Sequence, residues 1–359
     1  MRRPRPQVSF VSAAIAALLL ASAPASAQST ARPLPAFGLD SPISTITASF
    51  PKLATVTEAT AQPSRSGLIE ASAPLTGGHA FTPTATAPAA EAFSSLELFA
   101  LVNGTSDFRD VGGNLTAQRA GLDATIGRRT EERAFALHLR NESTFYKFGS
   151  GSTLVPGEPK PFNDLYETSA GVQLAVRADE TWTWLAGLEV TLAGEELVNP
   201  TDSLILGGLA GVRYSIADDV DFTFGLAGES RLEDDAWVMP FFGFDWRLGE
   251  HTRAAIHGSE LRFEQDLGKD LSLNLGASFD IRQYRLEDDG PVPGGVFRDE
   301  EIKVSAGLDW QVTESGRLGL EVGQVMWSEY TVLDGAGSLV GQSEGDPTNY
   351  LGVSLTFGI

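Results

Sequence analysis

Cysteine is absent from all 359 residues, which rules out disulfides, thiol nucleophiles and cysteine-bound metals. Histidine is scarce too: His79, His138, His251 and His257 are the whole set. Basic residues number 26 against 47 acidic ones, so no excess of positive charge is available for a phosphate backbone, and nucleic acid is excluded as a partner. Beyond residue 27 no uncharged apolar stretch approaches the roughly 18 residues that a membrane-spanning helix needs. Walker, Rossmann and His/Cys metal patterns are all missing, and no cofactor is implied.

What is present begins with an export signature. Arg2, Arg3 and Arg5 precede an apolar run over 8–23, and Ala25-Ser26-Ala27 then forms a small-residue cleavage site. Residues 1–27 are therefore expected to be a signal peptide. Losing them with their three arginines leaves 23 basic and 47 acidic residues, a formal charge of −24. Residues 28–94 are rich in Ala, Thr, Ser and Pro and follow no period of 2 or 3.6. They have too few large apolar side chains to offset ordering entropy, so a disordered leader is expected there.

From Ser95 onward the texture changes to strict alternation. Over 182–192 one face carries Trp182, Trp184, Ala186, Leu188, Val190 and Leu192, while the other carries Thr183, Gly187, Glu189 and Thr191. Over 271–281, Leu271, Leu273, Leu275, Ala277, Phe279 and Ile281 oppose Ser272, Asn274, Gly276, Ser278 and Asp280. Side chains of a strand point alternately to its two faces, so each segment has one oily and one polar side. Segments of about 10 to 14 residues exceed ordinary globular strands and suit a bilayer crossing.

Connections alternate between short (near 128–132, 178–180, 217–219, 248–250, 267–269 and 313–316) and long (near 104–114, 149–163, 193–202, 231–235, 286–298 and 331–347). A soluble sandwich has no reason to sort its loops this way, whereas outer-membrane barrels have short periplasmic turns and long extracellular loops. The expected fold is all-β: an antiparallel transmembrane β-barrel over 95–359. Residues 251–266 must go out and return within one short segment, bending at Gly258-Ser259. Counting that hairpin as two strands gives about 14; folding it inward gives 12. Trp182, Trp184, Tyr214, Trp237, Trp246, Trp310, Trp327 and Tyr330 sit toward strand ends, as an aromatic girdle requires.

The polar faces collect charges of both signs. Arg119, Asp123, Arg140, Glu142, Glu189, Arg213, Asp221, Asp280 and Arg282 are the leading lumen-facing candidates, with Lys303 and Asp309 beside them. Mixed charges suit either a water-filled pore for small solutes or a barrel shut by internal ion pairs. The connections are acidic, with Glu195-Glu196, Glu233-Asp234-Asp235, Glu287-Asp288-Asp289 and Asp299-Glu300-Glu301 all read as loop. Such runs could gather divalent cations and contact lipopolysaccharide, although none has the spacing of a calcium loop.

Two resemblances follow from quoted residues. The closing segment YLGVSLTFGI over 350–359 resembles the C-terminal signal that the barrel assembly machinery recognises, with Tyr350, Phe357 and Ile359 as its marks; the usual terminal aromatic is replaced by Ile359. The stretches SLILGGLAGVRYSI (203–216), PFFGFDWRL (240–248), LSLNLGASF (271–279), YRLEDDG (284–290) and VSAGLDW (304–310) resemble an uncharacterised family of bacterial outer-membrane β-barrel proteins. That resemblance, strongest over 203–328, implies fold and outer-membrane location and brings no activity. The porin-like reading leads. A closed barrel acting through its acidic loops is the alternative. A lipid hydrolase is a distant third: outer-membrane phospholipases carry His-x-Ser-Asn-Gly, whereas His257-Gly258-Ser259 is followed by Glu260 and Leu261. A tight turn explains those residues better.

Overall fold

The computed structural model describes residues 91–149, 151–196 and 198–358; the signal peptide, almost all of the leader and Ile359 lie outside them. The chain forms β1 (Glu91–Asp107), β2 (Asn114–Arg129), β3 (Arg133–Phe148), β4 (Leu165–Arg177) and β5 (Trp182–Gly194). Then follow β6 (Leu204–Ala217), β7 (Val220–Glu229), β8 (Trp237–Arg247), β9 (Thr252–His257) and β10 (Glu260–Asp266). The last are β11 (Leu271–Arg285), β12 (Val296–Thr313), β13 (Gly316–Leu333), β14 (Leu339–Gly345) and β15 (Thr348–Gly358). Strand β1 starts four residues before the predicted boundary at Ser95.

From β1 to β13 each strand pairs antiparallel with its neighbours in sequence, β14 and β15 both pair with β13, and β1 pairs with β15, which closes the sheet into a barrel. The closing strand meets the segment that starts near Ser95: Ser95 opposes Gly358 and Asn103 opposes Tyr350. Closure matters physically because it pairs the first and last strands, either of which would otherwise be an open sheet edge.

Fifteen strand segments make a 14-stranded wall. β14 and β15 both run antiparallel to β13 in one uninterrupted register, Val332↔Gly341 and Ser328↔Gly345 continuing as Val325↔Thr348. They are one strand broken at Asp346-Pro347, where proline cannot donate to the ladder. The connection expected over 331–347 is thus mostly strand. The 14-strand count also decides the short hairpin, since β9 and β10 both stand in the wall, joined by a two-residue turn with Gly258 at φ 58°.

Outward positions are apolar and exposed, among them Leu98, Leu139, Leu188, Leu226, Val322 and Leu351. Trp182, Trp184, Trp246 and Trp310 stand exposed on the same outer side near the short turns, as a girdle requires. Tyr330 does not join them. It is buried at 3% exposure in the interior, because a register shift at Ile302/Lys303 turns the upper part of β13 over.

Candidate functional site: the filled lumen and the break in the wall

At the long-loop end the lumen is filled by an apolar cluster that includes Leu115, Tyr146, Tyr284, Phe297 and Tyr330 from the strands. Loop residues Leu154, Val155, Phe162, Leu286 and Val292 fold inward to join it. Phe162 lies against Phe297 at 4.3 Å between ring centroids, and Tyr146 meets Phe297 edge-on at 5.2 Å. Periodicity could not reveal this plug, since six of its sixteen buried residues come from connections.

Beneath the plug sits an ion-pair network. Arg119 on β2 donates to Asp299 (2.7 Å) and Glu301 (2.8 Å) on β12, and Tyr146 donates its hydroxyl to Asp299 at 2.6 Å. Arg140 donates to Glu142 at 2.6 Å. Arg282 lies 3.5 Å from Glu142, 3.4 Å from Glu301 and 3.6 Å from Asp280, which also holds Lys303 at 2.5 Å. Four cations thus face four carboxylates. The network links β2, β3, β11 and β12 across the lumen, and at low dielectric it persists only because every charge has an opposite partner.

Five of the predicted lumen residues come together here: Arg119, Arg140, Glu142, Asp280 and Arg282. Asp123 faces inward beside His138 (3.4 Å), while Glu189, Arg213 and Asp221 face the interior from β5, β6 and β7. Asp221 accepts from Ser215 at 2.5 Å. Tyr350 also points inward: it donates to Glu321 and covers Gly323, where a Cβ would meet its ring. Phe357, by contrast, is on the outer face.

The reading of Asp299-Glu300-Glu301 as an outer-surface loop is wrong. β12 starts at Val296, its alternation turns Asp299 and Glu301 inward, and both are 0% exposed. Three adjacent acids look like a loop in sequence; only the cations across the lumen make them tolerable in a wall. The other acidic runs are also engaged. Glu195 accepts from the backbone amides of Asn163 (2.6 Å) and Glu287 (2.8 Å). Glu233 pairs with Arg285, and Asp234 with Arg298, whose hydrogen bond holds the Asp234 carboxyl below its ordinary range. Among the described residues no group of three or more His, Asp and Glu is placed to hold a metal ion.

Below the network a cavity of about 310 Å³ runs from Gln311, Ser315 and Arg317, beside a short turn, up to Arg119 and Arg282. Glu97, Arg262, Asp309 and Tyr350 line it on the way.

Among the described residues, the wall itself is broken where the β9–β10 hairpin stops short. β9 reaches only Phe244–Arg247 of β8, and β10 only Ser272–Ser278 of β11. Above the hairpin tip, 237–242 of β8 and 280–284 of β11 have no strand between them. The top of β11 leans away instead, and its Arg285 pairs in parallel with Gly194 at the end of β5.

No family model and no curated protein matches this chain, so the resemblance over 203–328 gains no support of that kind. Several solved structures are similar to it. An outer-membrane channel from Pseudomonas putida F1 is 10% identical, covering 78% of this chain and 100% of its own, with a TM-score of 0.41. The toluene transporter TodX of P. putida is 11% identical over 74% of this chain and 89% of its own, at 0.39. The KdgM porin is 9% identical over 73% and 98%, at 0.31.

Proposed function

We propose that this protein is a non-catalytic outer-membrane barrel that passes small solutes selectively and has no standing axial pore. One observation carries the reading: the barrel axis is occupied by the apolar plug and, below it, by the Arg119–Asp299–Glu301 network, while a cavity is left open beneath. A general porin keeps a polar, water-filled lumen. The exposed apolar outer belt and the short-turn tryptophans support a bilayer as the surroundings, with lipopolysaccharide at the long-loop rim and the assembly machinery reading the closing strand.

A second reading, a closed barrel working through its loops, draws on their ordering. Arg109 is held by Glu344 (3.0 Å) and Asp346 (2.7 Å), and Arg285 by Glu233 and the Leu232 carbonyl. Planar-bilayer recording with the refolded protein tests the proposal together with solute-flux assays in vesicles. Selective uptake of some small solutes without sustained ionic conductance is expected. Large ohmic steps from the native protein refute the shut axis, and absence of flux for every solute favours the second reading.

A further inference from the structure

We infer that the break between β8 and β11 is a lateral binding portal for a small neutral amphiphile, an apolar molecule with one hydrogen-bond-donating group, arriving from the bilayer. The inference rests on the reading that the barrel spans a membrane.

The opening has a complete frame. Its floor is the tip of the β9–β10 hairpin, where two intervening strands hold β8 and β11 about 14 Å apart at ordinary strand spacing. Its sides are 237–242 and 280–284, about 15 Å tall at ordinary strand rise. Its roof is the connection 230–236, tied down by Arg285 to Glu233 and to the Leu232 carbonyl (3.1 Å) and by Arg298 to Asp234. Pro240 stands on the free edge of β8, a position open to a residue that cannot donate to a ladder.

Three observations point to a ligand and to its chemistry. Exposed sheet edges do not occur in hydrocarbon unless they face a cavity, so the space between these strands must hold something other than lipid tails alone. Met239 lies on the inward face of β8, in register with Phe241, which covers Gly211 and Gly225. It is nonetheless 52% exposed, so the described residues leave the space in front of it unfilled. On β11, Phe279, Ile281 and Gln283 lie on the face opposite the network residues Asp280 and Arg282. Gln283 is 4% exposed, and its Oε1 has no hydrogen-bond partner among the described residues. An apolar mouth with one buried, unanswered acceptor selects an apolar body with one donor. Glu233 and Asp234 in the roof oppose an anion, and the arginines there are already paired. A second copy fits poorly, because β11 leans inward toward β5 and Pro240 interrupts the donors of β8.

The test uses the full chain in phospholipid vesicles with two photoreactive probes, a diazirine-bearing octanol and the matching octane. Peptide mapping of the octanol adducts is expected to find Met239 and Ile281 labelled above Val322 and Leu351, and labelling there is expected to saturate with unlabelled octanol. Gln283→Leu is expected to weaken that competition about fivefold, close to one neutral hydrogen bond, and to leave octane labelling unchanged. Uniform, unsaturable labelling around the belt overturns the portal, as does a dimer whose dissociation exposes the site. Heat-dependent gel mobility, run on both chains, separates the causes: a chain that never inserts refutes the membrane reading itself, whereas an inserted barrel without saturable labelling refutes the portal alone.

Discussion

Replacing Arg119 with Leu removes one guanidinium and leaves two carboxylates facing each other. Asp299 keeps only the Tyr146 hydroxyl at 2.6 Å, and Glu301 keeps Arg282 at 3.4 Å and the Asn103 amide at 3.4 Å. Both acids are 0% exposed, so water cannot take over. Breaking a buried pair from one side costs about 3–5 kcal/mol, a large share of the roughly 5–15 kcal/mol that holds a typical domain together. Glu142 is spared, because Arg140 (2.6 Å) and Arg282 (3.5 Å) still hold it. The triple variant Arg119→Leu/Asp299→Asn/Glu301→Gln removes the uncompensated charge and is expected to recover most of the loss. Urea titrations of vesicle-embedded protein, followed by tryptophan fluorescence and gel mobility, measure both steps. The single variant is also expected to raise bilayer conductance. A loss below about 1 kcal/mol for Arg119→Leu, or a triple variant no more stable than the single, refutes the claim that pairing is what makes these acids tolerable.

Two further outcomes are expected. Val322→Lys places a charge on the outward face of β13, where Val322 is 57% exposed; facing lipid it costs about 2–4 kcal/mol, whereas on a water-facing surface it stays within about 0.5 kcal/mol, so vesicle unfolding titrations decide whether the belt meets a bilayer. For Asp234 the folded pKa is depressed, chiefly by the hydrogen bond from Arg298. Its contribution is therefore present above the unfolded value near 4 and lost as pH falls through the lower folded value. Protease nicking of the 230–236 connection should rise on acidification below about pH 4 in the native protein, and an Asp234→Asn variant should show the raised level already at neutral pH; equal nicking of both chains at neutral pH sinks the tether.

Strand positions were largely legible in the sequence because a wall with an apolar outer face and a polar lumen must alternate with period 2, and Leu271–Ile281 or Trp182–Leu192 state that period in residues. The inward placement of Arg119, Arg140, Glu142, Asp280 and Arg282 follows from the same parity. Parity failed where the ladder shifts or where charge looks like loop. Tyr330 turned inward past the shift at Ile302/Lys303, and Asp299 and Glu301 entered a strand whose start the acidic run concealed.

By itself the sequence determined the alternating wall, the sorting of short and long connections and the polarity of the lumen, since these are local rules read two residues at a time. Tertiary structure alone decided that the lumen is filled and where the wall opens. The partners of Arg119 lie about 180 residues away, and the plug joins strand residues to others from connections that share no period. The break above Gly258-Ser259 exists because β9 and β10 are too short to cover β8 and β11, whose uncovered lengths become visible only when the four strands are laid side by side.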